Sequence, residues 1–156
     1  MQDTIVRYKE ILGRIKSELT INELRNIHYK SVSNFLIYFK FLKGENETKI
    51  VFKLLNEYFD MLEEHQYQLT EKESKELTFD YIMQIGNHYS YQLNFKIIMS
   101  VGGSLFGGIL IDSILFFLGV SKSFYFIPVA TIYLLSSHFY KQFYYGKKNK
   151  LYGVRY

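Results

Sequence analysis

Residues 97–140 read IIMSVGGSLFGGILIDSILFFLGVSKSFYFIPVATIYLLSSHFY and hold one acid, Asp112, one lysine, Lys122, and one histidine, His138. No other part of the chain is so poor in charge. Residues 97–120 would extend roughly 36 Å as a helix, against about 30 Å for the hydrocarbon core of a bilayer. After Ser121-Lys122-Ser123, residues 124–140 form a second apolar run of roughly 26 Å, with Pro128 in its first turns, where a missing amide costs least. Two apolar runs joined by a three-residue turn predict a transmembrane helical hairpin. The alternative, a soluble protein with two buried core helices, leaves too little other apolar surface to cover both runs.

The charge pattern sets the expected orientation. The chain has 156 residues and a formal net charge of +4, and residues 1–96 are nearly balanced, with 13 Lys/Arg against 14 Asp/Glu. The surplus lies in Lys141, Lys147, Lys148, Lys150 and Arg155, which follow the second run with no acid among them. The turn carries only Lys122, so the bias in basic residues places both termini on the cytoplasmic side. Met1-Gln2-Asp3-Thr4 lacks a basic n-region, and no cleavable signal peptide is expected. There is no cysteine, which excludes disulfides, thiolate chemistry and cysteine zinc sites.

Upstream of the hairpin the periodicity is helical. Ile5, Tyr8, Ile11, Leu12, Ile15 and Leu19 share one face of a first helix. Thr20-Ile21-Asn22-Glu23 fits a capping box opening a second helix that runs to about Lys43, where Gly44 suits a left-handed C-terminal cap; residues 35–42 are also compatible with a strand. A third helix is expected over residues 48–66. Thr70-Glu71-Lys72-Glu73 repeats the capping box and opens a fourth, which Gly86-Asn87 would kink or end. With no proline between Tyr89 and Ile97, this fourth helix could continue into the membrane as one rod. The reading is all-α: a small cytoplasmic antiparallel helical bundle (residues 1–95), a two-helix transmembrane hairpin (96–140) and a basic-aromatic cytoplasmic tail (141–156).

Within the hairpin, Asp112 is the sharpest signal, because an acid at that depth needs a partner or water. Folding the hairpin about Lys122 sets residue 112 level with residue 132, which nominates the hydroxyls of Thr131 and Tyr133 as donors. A small-residue stripe, Ser100, Gly103, Ser104, Gly107 and Gly108, leads toward Asp112 and predicts close helix packing, within one chain or between protomers. Thr131 and His138 are seven residues apart on one face of the second helix, so these polar groups are candidates for helix packing or for lining a pore. Lys96, Lys141, Tyr144, Tyr145, Lys147, Lys148 and Lys150 are expected to anchor the membrane interface.

His28, His65 and His88 each lack a second ligand at helical spacing, and no phosphate loop, dinucleotide fingerprint or nucleophile elbow occurs. No catalytic residue, cofactor or metal is therefore expected. The partners expected are membrane lipid, an unidentified protein and a second copy of the chain, but not nucleic acid. The layout resembles bacterial two-transmembrane proteins of two kinds: defence effectors whose membrane part oligomerises and permeabilises, and immunity proteins that neutralise a toxin at the membrane. It implies a non-enzymatic membrane protein whose cytoplasmic domain binds a protein partner, or an oligomeric pore-forming effector that uses the Gly/Ser/Asp112 stripe.

Overall fold

A computed structural model describes residues 1–98, 100–119 and 128–153. The chain is mostly helical. Helix α1 (Gln2–Glu18) buries the predicted stripe, with Tyr8 stacked on Phe59 at 3.9 Å between ring centroids and its hydroxyl donating to Asn56. Both capping boxes form: Thr20 opens α2 (Ile21–Asn26) and Thr70 opens α5 (Glu71–Leu77), each accepting from the amide three residues on while the glutamate there accepts from the threonine amide.

The long second helix of the sequence reading is broken. His28 takes a left-handed conformation (φ 53°), separating α2 from α3 (Tyr29–Tyr38), and a single 3₁₀ turn (Phe39–Phe41) follows; residues 35–41 are helical, not strand. The break puts the His28 ring into the core. There its Nε2 lies 3.0 Å from the Ser74 carbonyl and 2.9 Å from Thr78 Oγ1, bonds that an uninterrupted helix would not aim. Gly44 has the expected positive φ (86°), but as the residue preceding α4 (Glu45–Glu64). Beyond α5 the helix widens into a π turn (Thr78–Ile82) and runs on as α6 (Met83–Leu93) straight through Gly86-Asn87.

The expected continuous rod into the hairpin does not form. Asn94, left-handed at φ 57°, ends α6, and the chain enters strand β1 (Lys96–Ile98). Ser100 then caps α7 (Val101–Phe117) by accepting from the Gly103 amide, so the apolar helix starts four residues later than its hydropathy suggests. Helix α8 (Val129–Gly146) packs along α7 and runs past residue 140 into the tail. The turn at Ser121-Lys122-Ser123 lies outside the described residues. Among those described, no helix is long and apolar enough to cross a membrane; α7 has 17 residues and α8 has 18.

Part of the basic-aromatic tail returns to the bundle. Residues Leu151–Gly153 form β2, parallel to β1 with Lys96 opposite Leu151 and Ile98 opposite Gly153. Asn34 donates to the Leu151 carbonyl at 2.9 Å, and Tyr152 packs against Phe35. Gly86 makes room for this strand: a Cβ there would lie 2.1 Å from the Tyr152 ring. The core of Phe35, Tyr58, Phe59, Tyr89 and Phe95 is thus closed by a residue from beyond the hairpin.

Candidate functional site

The polar groups of the hairpin converge on the start of α8. Pro128 precedes that helix and offers no capping side chain, while the first helical amides have no partner within their own helix. Asp112 supplies the acceptors from α7: one carboxylate oxygen accepts from the Ala130 amide at 2.9 Å, and the other from the Thr131 amide at 2.9 Å and Thr131 Oγ1 at 2.7 Å. The acid acts as the missing cap, where the helix dipole also favours negative charge. Thr131 is the donor the hairpin register nominates. Tyr133, nominated with it, is 70% exposed, and the two backbone amides take its place. The absence of a Ser, Thr, Asp or Asn cap beside Pro128 was the sequence signal for them.

Beside the carboxylate the two helices touch backbone to backbone. A Cβ on Gly108 would lie 2.5 Å from Thr131 Cα, while one on Gly107 would make ordinary contact with Leu134 at 3.8 Å. Toward the base the stripe opens: Gly103 meets only the capping Ser100 hydroxyl, and Ser104 is half-buried, its amide bonded to the Ser100 carbonyl. The small residues therefore serve two ends, a tight seam at Gly108 and a cap at Ser100. Thr131 and His138 are the buried residues of α8, placing both on its α7-facing side, with the His138 ring edge-on to Phe139.

At the base of the hairpin Lys150 and the backbone of Lys148 contact the bundle, while other predicted anchoring residues contact one another along α8. Lys150 Nζ donates to the Leu93 carbonyl at 2.9 Å and lies over the Tyr38 ring, and Tyr38 donates to the Lys148 carbonyl. Lys148 Nζ donates to the Tyr144 hydroxyl at 2.8 Å, Lys147 lies 4.0 Å over the Phe143 ring, and Lys96 lies over Tyr145. Lys141 is half-buried on α8. Beside these residues Phe139, Gln142, Phe143 and Lys147 line a shallow groove of about 440 Å³.

The histidines of the bundle are engaged in separate places. His88 bonds Glu47 through Nδ1, and His65 lies 3.9 Å from Glu73. His28, with Ser74 and Thr78, forms a buried polar cluster that periodicity could not reveal, because the left-handed turn at His28 creates it. With all three side chains enclosed, this cluster joins α3 to α5 and offers no surface to a substrate. Asn22, Arg25, Asn26 and Glu71 line a polar cleft of about 440 Å³.

These features define a helical bundle carrying a protruding pair of apolar helices whose polar seam is internal. No family model, no curated protein and no solved structure matches the chain.

Proposed function

We propose that the chain is a non-enzymatic membrane protein: α7 and α8 insert into a bilayer as a hairpin with both ends on the cytoplasmic side, and the bundle binds a protein partner there. One observation carries this reading. Ile109, Leu110 and Ile111 are three successive exposed residues of α7, and successive positions on a helix point about 100° apart. The apolar surface therefore wraps the helix, and Phe106, Phe117 and Ile132 extend it. Water penalises such a surface; hydrocarbon does not. Phe139, Tyr140, Phe143 and Tyr144 are exposed near the lysines, as an interfacial aromatic belt would be.

The engaged state of Asp112 supports an anchor over a conducting path, since both its oxygens are held by α8. The second reading, an oligomeric pore, draws on Gly102 and Gly103, exposed small residues on which the described residues set no other helix. One experiment separates them: express the full chain and Asp112→Asn at equal membrane levels, and record membrane potential and resistance to alkaline extraction. An anchor resists extraction and leaves the potential unchanged in both forms. Depolarisation by the full chain that Asp112→Asn alters would establish the pore instead.

A further inference from the structure

Helices α7 and α8 are antiparallel, so each N-terminus is faced by the body of the other helix, and the two meet different chemistry. The free amides at the start of α8 receive the Asp112 carboxylate from α7. At the start of α7, Ser100 Oγ accepts from the Gly103 amide, and among the described residues no acceptor meets the amides of Val101 and Gly102. Gly102 leaves the approach to them clear, since a Cβ there would meet nothing within 4 Å.

The register fixes what stands opposite. Gly108 touches Thr131, and a step of seven residues, about two turns, returns each helix to the same face. From Gly108 that step leads down α7 to Val101, and from Thr131 it leads along α8 to His138. His138 is 7% exposed, its ring lies against Phe139, and neither ring nitrogen has a hydrogen-bond partner among the described residues. Helix α8 then continues past the start of α7, carrying Lys141 and Gln142 at i+3 and i+4 from His138 on the same side. Lys141 is half-buried and Gln142 exposed, and among the described residues neither has a polar partner. The start of α8 is supplied with an acid; the start of α7 is supplied with donors. Of the elements packed most against α7, α8, β1 and β2, two bring an acid among the described residues: α7 itself, with Asp112 roughly 16 Å along and bound to α8, and the π turn beside β2, with exposed Asp80.

We propose that the first turn of α7, with His138, Lys141 and Gln142, binds a phosphate group. The Val101 and Gly102 amides donate to its oxygens at the positive end of a 17-residue helix, the His138 ring and the Gln142 amide add donors, and Lys141 supplies the opposite charge. An enclosed imidazole without a partner is costly, and an anion within its reach offsets that cost. The site stands on the packing of α7 against α8 and does not require insertion. In an inserted hairpin the phosphate is that of a lipid headgroup in the cytoplasmic leaflet; otherwise it is free phosphate.

The test uses the full chain in phosphate-free dodecyl maltoside, titrated with inorganic phosphate and, separately, with dihexanoyl phosphatidic acid. The Gly102 amide and His138 ring resonances are followed by NMR, and both are expected to shift saturably with at least one ligand. Tighter binding of the phosphatidic acid identifies a lipid headgroup as the source; binding no tighter than that of inorganic phosphate identifies free phosphate. Lys141→Met and His138→Phe should each weaken the affinity about tenfold, and Lys141→Arg should retain it. Lys9→Met, which removes an exposed cation of the bundle, should leave it within about twofold. The shifts on the unaltered chain decide the case even where a variant fails to fold. Gly102 and His138 resonances that stay fixed with both ligands, or an affinity that Lys9→Met weakens as much as Lys141→Met, overturn the proposal.

Discussion

In the bundle, Phe35, Tyr58 and Tyr89 are fully enclosed, whereas on the hairpin Phe106 and Phe117 stand 71% and 86% exposed. Charged and polar groups are also placed differently in the two regions. The bundle carries its ion pairs outside, such as Lys75 with Glu71, while α7 and α8 turn Thr131 and His138 inward with Gly108. A helix with charges on one side solves its burial problem by choosing a face. A helix apolar all round has no such choice, and the only informative positions left are those where two backbones can approach or an amide needs an acceptor. Side chains thus read differently in the two regions: by periodicity in one, by exceptions in the other.

The largest expected effect comes from cutting the link between them. Tyr152→Ala removes a buried aromatic from the bundle's core and should cost about 3–5 kcal/mol of bundle stability. Chemical denaturation followed by aromatic circular dichroism would show it, with α7–α8 helicity in detergent unchanged. Next is a matched pair of exposed phenylalanines, Phe106 on α7 and Phe79 in the bundle, 71% and 68% exposed. If both faced water, lysine at either site would shift stability by less than about 0.5 kcal/mol. With α7 in hydrocarbon, Phe106→Lys should cost roughly 2.5–3.5 kcal/mol of insertion and release a large fraction of the chain to alkaline extraction, with Phe79→Lys unaffected. Equal behaviour of the two would erase the distinction between the regions.

A smaller contrast lies within α7. Gly108→Ala drives a Cβ into the Thr131 backbone and should cost about 1–3 kcal/mol of hairpin stability. Gly102→Ala meets nothing within 4 Å and should stabilise the helix by up to about 1 kcal/mol. Thermal scans in one detergent would rank them. The smallest effect is confined to the bundle. The Thr70 amide and hydroxyl, bonding Glu73, hold its carboxyl below the usual carboxylate range, as Thr20 does for Glu23. A pKa depressed on folding contributes stability above the unfolded value, near 4.3, that is lost as pH falls through the folded one. Glu73→Gln should therefore flatten the acid limb of the bundle's stability curve slightly and leave the hairpin's unchanged.

Local signals were legible in the sequence. Thr20 and Thr70 announced their helices because a capping box spans only four residues, and the burial of Ile5, Tyr8, Ile11, Leu12 and Ile15 follows from spacing alone. Asp112 and Thr131 could be paired because a hairpin has a simple register. What escaped depended on contacts distant in the chain. The break at His28 is set by Ser74 and Thr78, and the strand at Lys96–Ile98 exists because Leu151–Gly153 lies beside it. Residues 151–153 look like ordinary tail until Asn34 and Gly86 are known to form their socket.

That socket has a consequence for how the chain is made. Asn34 and Ser31 await partners 117 and 122 residues later, so during synthesis the groove beside Phe35, Gly86 and Tyr89 stays open while both hairpin helices emerge. Were α7 and α8 to cross a bilayer as proposed, β2 would reach it only after both crossings. A chain that crossed once would strand β2 on the far side and leave the bundle unfinished, exposed to quality control. If the proposed insertion holds, closure of the last strand would proofread topology, because only a chain threaded in that way would complete its core.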